Sequence, residues 1–373
     1  MLLPKQTRWT RTRAGVAFLA GLIAACFCQP GAHAAVKGDE TVTFFPAVAW
    51  PASNGWSVEL KGTIYEAGNH PIQTTVVRKM LGLDDDDWTE VQRGLFRTRT
   101  ENFLVDNERR KVVQVELCGK TVRSGKSLPN GHFTAQVVMG EEEVRRQGIR
   151  AEGGTLALVG KVAASSGSTL NLPIQIHFIP ARGWSVVSDI DDTIKISNVR
   201  DRRALIHATF CEPFQAVPGM ASVYREWAQA GAQFHYVSAS PWQLYPCLSE
   251  FLVTNKFPAG TFHMKTFRMK DASALKMLGS QNRYKFAEIS ALIKRAPERR
   301  FVLVGDSGEQ DPEIYGDVAR RYRTQVAHIF IRNVTKEDGE ALRYRDSFRD
   351  LPATTWSVFE DPRVLQDMPI RVR

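Results

Sequence analysis

Ser185-Val186-Val187-Ser188-Asp189-Ile190-Asp191-Asp192-Thr193 decides the fold: a short apolar strand, Ser185–Val187, runs straight into a cluster of acids. Three later segments are of the same kind, Phe234–Val237, Phe301–Val304 and Val326–Ile331. Helical patterns lie between them. Pro218–Ala230 starts on a proline suited to a first turn, sets Met220, Val223, Tyr224 and Trp227 on one face, and stops at Gly231. Pro241 opens a second helix to about Leu252. Lys285–Arg295 is a third, with Phe286, Ile289 and Ile293 inward and Pro297 behind it. Buried apolar strands alternating with helices predict an α/β unit with a parallel sheet and helices on both faces. In such sheets ligands bind beyond the carboxyl ends of the strands.

Those ends carry chemistry in a consistent order. Asp189-Ile190-Asp191-Asp192-Thr193 follows the first strand and Ser238 the second. Lys285 opens the third helix, and Gly305-Asp306-Ser307-Gly308-Glu309-Gln310-Asp311 follows the next strand. Each alone is a weak signal, but the set resembles the haloacid dehalogenase superfamily of phosphotransferases over roughly residues 185–334. The likeness narrows to the actin-patch-associated, lipin-like phosphatidate phosphatases. It is carried by Ser188–Lys195, by Tyr236-Val237-Ser238-Ala239-Ser240-Pro241-Trp242-Gln243-Leu244-Tyr245, and by Phe301–Tyr315. The resemblance implies a Rossmann-like parallel-sheet domain over 181–350, with 351–373 as a tail.

It also implies roles. Asp189 is the nucleophile, forming an aspartyl-phosphate. Asp191 protonates the leaving alkoxide and later activates water. Asp189, the backbone carbonyl of Asp191, Asp306 and Asp311 hold Mg²⁺, which offsets repulsion between nucleophile and phosphate. Ser238 and Lys285 bind the phosphoryl oxygens. Lys285 is preferred to the nearby Lys265, Lys270 and Lys276 because it opens the helix before the acidic strand. Thr193 braces the nucleophile loop, and Asp192 is structural. Residues 199–217 leave room only for a small cap, which suits a bulky or membrane-borne substrate. Phe210, Phe214, Trp242 and Tyr245 either meet acyl chains or pack as core. The substrate expected is a phospholipid, phosphatidate, at a membrane surface. Two rivals remain: an exported phosphatase of soluble phosphomonoesters or phosphoproteins, and a non-enzymatic lipid- or surface-binding module.

Before residue 180 the period is two. Val58, Leu60 and Ile64 share a face, as do Val113, Val115 and Leu117, then Phe133, Ala135, Val137 and Met139, then Ile174, Ile176 and Phe178. Pro129-Asn130-Gly131 reads as the turn joining the second and third of these runs. Several short strands predict a β-sandwich-like domain over 40–180. Asp84–Asp87 reads as a solvated loop. His207, His235, His263 and His328 lack metal-ligand spacing.

Residues 1–34 read as an export signal. Lys5, Arg8, Arg11 and Arg13 precede a 12-residue apolar run, Ala14–Ala25, and Ala32-His33-Ala34 offers a cleavage site. Ile23-Ala24-Ala25-Cys26 alternatively resembles a lipobox, making Cys26 a lipid anchor; an uncleaved anchor is the third option. A periplasmic or secreted protein follows. Cleavage leaves 45 basic residues against 40 acidic, a mild excess that suits an anionic surface without requiring one. Cys118, Cys211 and Cys247 would remain, as buried thiols rather than a disulfide framework. The composition, 43% hydrophobic and 24% charged, excludes collagen-like, coiled-coil and disordered chains. Without a basic block, a Walker loop or a nucleophile elbow, nucleic acid, nucleotide cofactors and serine hydrolysis are not expected.

Overall fold

The computed structural model describes residues 35–68, 71–84, 87–149, 153–267 and 281–366. The segment read as an export signal therefore lies outside the described residues, as do Asp85, Asp86, Lys270 and Lys276.

The first half builds one eight-stranded sheet: β1 (Glu40–Ala52), β2 (Gly55–Glu66), β3 (Asp106–Asn107), β4 (Gln114–Leu117), β5 (Lys120–Arg123), β6 (His132–Met139), β7 (Gly154–Ala163) and β8 (Thr169–Phe178). Its order is β3-β2-β1-β8-β7-β4-β5, with β6 also on β2. A single curled sheet thus replaces the expected sandwich of two. The curl has a local cause. The register of β1 shifts between Phe45 and Val48, where Pro46 lacks the N–H a ladder needs. Beyond that bulge β1 pairs in parallel with β8. The expected faces are real: Val58, Leu60, Ile64, Val113, Val115, Leu117, Ile174 and Ile176 are all buried together. The expected hairpin is not. β4 turns at Cys118-Gly119, both at positive φ, into β5, and β6 pairs with β2 instead. Cys118 is exposed, Cys211 buried and Cys247 half-buried; all three are free thiols.

Three helices interrupt these strands where only β structure was expected, Pro71–Leu81, Glu90–Leu104 and the short Glu141–Arg146. The second begins with a capping box: Gln92 N donates to Thr89 Oγ1 at 3.3 Å and Thr89 N to Gln92 Oε1 at 2.9 Å. Its Phe96, Phe103 and Leu104 are buried with residues of the second half.

The second half is a six-stranded sheet, parallel throughout: β9 (Gly183–Ser188), β10 (Gln233–Pro241), β11 (Gly260–Lys265), β12 (Arg299–Asp306), β13 (Val326–Arg332) and β14 (Trp356–Phe359). Its order is β11-β10-β9-β12-β13-β14. Helices cover both faces, as the strand pattern requires. Val186 and Val302 pack with Met220, Val223 and Leu248 on one side. Val187 and Leu303 pack with Ile289, Ile293, Ile314 and Val318 on the other. β14, expected as tail, is the edge strand. The helix expected to open at Lys285 spans Gln281–Arg295, so Lys285 stands in its second turn. Strand order reverses between β9 and β12, which opens a crevice at their carboxyl ends. Among the described residues no helix is long and apolar enough to cross a membrane.

Candidate active site

Asp189 leaves β9 and Asp306 ends β12, so adjacent strands deliver both carboxylates to that crevice. Asp311 follows on the first turn of the helix Asp311–Arg321. Its return toward the sheet needs Gly305: a Cβ there would sit 2.4 Å from Asp311 Oδ2 and 2.7 Å from the Tyr315 ring. Lys285 reaches in from the preceding helix, Gln281–Arg295. Its buried Nζ lies 2.8 Å from Asp189 Oδ1, 2.7 Å from Asp311 Oδ1 and 2.8 Å from Glu309 Oε2. Thr193 Oγ1 donates to Asp189 Oδ2 at 3.1 Å.

Oxygens of Asp189, Asp306, Glu309 and Asp311 all lie within 4.8 Å of one another. Among the described residues, Lys285 brings one ammonium to these four carboxylates. Burial, reinforced by the neighbouring carboxylates, holds the Asp189 and Asp306 carboxyls well above the usual range. Glu309 is raised by burial too. Burial alone would depress Lys285, but Asp189, Asp311 and Glu309 outweigh it and hold the ammonium charged. Asp306 Oδ1 accepts from Gly308 N at 2.6 Å and Glu309 N at 3.0 Å. Asp306 Oδ2 is buried without a hydrogen-bond partner among the described residues. An orphaned carboxylate oxygen in a cluster of hard oxygen donors fits a divalent cation.

Asp191 is set differently. Lys195 Nζ lies 2.7 Å from its Oδ1. Ser197 Oγ donates to Oδ1 at 2.7 Å and Ser240 Oγ to Oδ2 at 3.0 Å. Burial pushes this carboxyl up, yet Lys195, Ser197 and Ser240 outweigh burial and hold it below the ordinary range. Asp192, at φ 54°, turns the loop. Its carboxylate accepts from the backbone of Ser197, Asn198 and Val199 at 2.7, 3.1 and 2.7 Å, a structural role as expected. Ser238 is buried at the end of β10, next to β9, and its hydroxyl accepts Ser240 N at 3.0 Å. Lys265, the described rival to Lys285, ends β11, two strands from Asp189.

The sequence reasoning missed Glu309, Lys195, Ser197 and Ser240. Glu309 stood inside the acidic run already singled out, and Lys195 and Ser197 follow the first acidic motif at alternate positions. It also missed Arg343, whose guanidinium donates to the carbonyls of Ser307 and Glu309 and pins the loop carrying Asp306.

Between Asp191 and Glu309 opens a small cavity lined by Leu205, Ile206, Phe210, Ala239, Pro241 and Leu244. Trp242 stacks on Phe45 at 4.2 Å and the half-buried Tyr245 meets Phe262 edge-on at 5.0 Å, both away from this cavity.

Residues 184–333, which hold all the carboxylates, hydroxyls and lysines named above, match the family model described as "Phosphatidate phosphatase APP1, catalytic domain". This segment is thus similar to the catalytic domain of the APP1 phosphatidate phosphatases. The chain is 34% identical over 179 residues to the phosphatidate phosphatase APP1 of Saccharomyces cerevisiae, covering 44% of this chain and 30% of that one. An uncharacterised protein of Schizosaccharomyces pombe is 30% identical over 167 residues, 44% of this chain and 27% of its own. The match thus spans less than a third of either relative. Among solved structures, a 2,6-sialyltransferase of Photobacterium sp. JT-ISH-224 aligns at 6% identity over 54% of this chain and 32% of that one, with a TM-score of 0.21. So slight a likeness has no bearing on fold or chemistry.

Proposed function

We propose that this chain is a Mg²⁺-dependent phosphatase that hydrolyses phosphatidate to diacylglycerol and phosphate through an aspartyl-phosphate on Asp189. The observation that carries the reading is the buried cluster of four carboxylates around one lysine, with an orphaned Asp306 oxygen, at the carboxyl ends of β9 and β12. The parallel sheet with its reversal at that point supports a haloacid dehalogenase-type domain. Asp189, Asp306, Asp311 and the Asp191 carbonyl would hold the cation, with Glu309 beside them. Bound there, it would neutralise phosphate charge as a Lewis acid.

The chain's own residues supply the rest. Lys285 holds Asp189 by Oδ1 and Thr193 holds it by Oδ2, so the carboxylate is oriented from both sides. An Asp189 oxygen attacks phosphorus, the phosphorus–alkoxide bond breaks, and the alkoxide takes a proton from Asp191. Water then attacks the aspartyl-phosphate, gives its proton to the ionised Asp191, and releases phosphate. Asp191 rests ionised beside Lys195, ready for the second step. The negative charge of an arriving phosphate raises it toward the proton the first step requires. Ser238 and Lys285 bind the transferred group's oxygens.

Phosphatidate is favoured by the yeast relative's activity and by the apolar walls of the cavity at Asp191. Export through residues 1–34, to a membrane face or beyond, completes the reading; fractionation with amino-terminal sequencing tests it. For the chemistry, phosphate release from phosphatidate and a soluble-phosphate panel should be measured with and without Mg²⁺. Asp189→Asn should abolish turnover while its melting curve stays cooperative. Turnover by that folded variant would overturn the nucleophile assignment.

A further inference from the structure

The cavity beside Asp191 has two walls, and both are held from elsewhere. One is the helix Arg202–Phe210, which supplies Leu205, Ile206 and Phe210. The other is the end of β10 and the turn beyond it, with Ala239, Pro241 and Leu244. About 20 Å³ is free between them, room for roughly one water. A substrate's alcohol enters only where these walls allow.

The helix Glu90–Leu104, from the first half of the chain, lies across both. Phe96 and Phe103 meet Phe210 edge-on at 6.3 and 5.8 Å. Asn102 Nδ2 donates to the Gln243 carbonyl at 3.4 Å. Arg99 is the fastening. It is 6% exposed. Its Nη1 donates to the carbonyls of Thr209 at 2.9 Å and Glu212 at 2.6 Å. Its guanidinium lies 3.8 Å from the centre of the Phe214 ring. Those carbonyls close the carboxyl end of the helix Arg202–Phe210, where the dipole is negative and intrahelical partners run out. The same Phe214 ring carries Lys195 Nζ at 4.8 Å, and Lys195 holds Asp191. Arg99 thus holds the cavity wall directly and is linked to the mount of the acid through the Phe214 ring. A buried guanidinium held by carbonyls and a ring is a costlier anchor than an apolar side chain. What it gives in return is direction: it fixes the helix end in one place.

We propose that Arg99 is a positioning residue of the active site, fixing the apolar wall that receives the leaving alcohol, so that selection of an apolar phosphomonoester belongs to both halves of the chain. The proposal rests on the phosphatase reading above. The full-length protein should be compared with Arg99→Met, Arg99→Lys and Phe214→Leu on two substrates: phosphatidate in mixed micelles and para-nitrophenyl phosphate, a compact aryl ester. Arg99→Met should lower kcat/KM for phosphatidate about tenfold or more, as displaced binding groups do, and change that for the aryl ester by less than about threefold. Arg99→Lys, which keeps a donor for the carbonyls, should recover part of the loss, and Phe214→Leu should follow Arg99→Met. Equal losses on both substrates, or no loss on phosphatidate, would overturn the proposal while leaving the phosphatase reading intact. A wild-type protein inactive on both would overturn that reading first. If Arg99→Met does not fold, the substrate ratios of Arg99→Lys and Phe214→Leu decide.

Discussion

Asp189 and Asp191 lie two positions apart and in opposite surroundings. Asp189 shares one ammonium with three other carboxylates, and burial raises it; Asp191 has Lys195 and two hydroxyls to itself, and together they outweigh burial and lower it. Carboxyls pushed apart in this way divide labour in an active site. Asp191 has oxygens on the cavity side of the cluster, facing where a leaving group would sit. Asp191→Asn keeps the shape and removes the transferable proton. It should lower kcat for both esters by removing the base of the second step, but in kcat/KM, which reads the first step, it should cost little with an aryl phosphate, whose leaving group needs no proton, and about 10²–10⁴-fold with an alkyl phosphate. The check is the ratio of kcat/KM for the two esters in variant and parent; a ratio that does not move would remove Asp191 from the proton-transfer step.

At the scale of elements, the strand–turn–helix from Arg299 to Arg321 builds the acidic site on a backbone contact too close for any side chain but hydrogen at Gly305. Gly305→Ala must push Asp311 and Tyr315 apart. We expect about 1–3 kcal/mol of lost stability from overpacking and a loss of activity of about 10²-fold or more from the displaced carboxylate, read by denaturant melts and by turnover. This unit was legible in the sequence because Phe301–Val304 is apolar on both faces, which only a sheet covered on both sides buries. The acids directly after it then had one place to go. The first half was less legible for a physical reason: alternation gives the face of a strand, not its partner. Nothing local to Phe133–Met139 states that it pairs with β2, some seventy residues earlier, nor that Pro46 bends β1 so that a sandwich becomes a curl. The helix Glu90–Leu104 did carry a signal, Thr89 and Gln92 at capping-box spacing, but its apolar residues serve a partner helix 110 residues onward and show little local period. Lys195, Ser197 and Ser240 were hidden for the same reason, since their contacts with Asp191 exist only once the loop and β10 meet.

Across the whole molecule, two features tie stability to solution conditions. The first is a set of histidines buried neutral. His132 beside Phe45, His177 against Thr155 and His328 beside Phe330 are each lowered by burial to about 4. An unfolded histidine titrates near 6.5. Between those values the unfolded chain takes up protons that the fold refuses, so stability is full above about pH 6.5 and falls as pH drops toward 4. Replacing His177 by Gln should flatten that fall in melts run across the interval. The second feature is the cluster at β9 and β12. Four carboxylates around Lys285 repel one another in the fold and not in the unfolded chain. A cation that binds only the fold stabilises it by about 2.7 kcal/mol at a hundred times its Kd. Mg²⁺ should therefore raise the melting temperature in a concentration-dependent way, and EDTA should reverse the rise. Asp306→Asn is the informative variant. It removes one of the repelling charges and the orphaned oxygen together, so without metal it should melt higher than the parent, and with Mg²⁺ it should gain little. The readout is a thermal scan with no substrate present, independent of any assumption about turnover. A parent protein whose melting temperature ignores Mg²⁺ from micromolar to about 10 mM, a range that brackets weak carboxylate sites, would show that these carboxylates do not form a metal site.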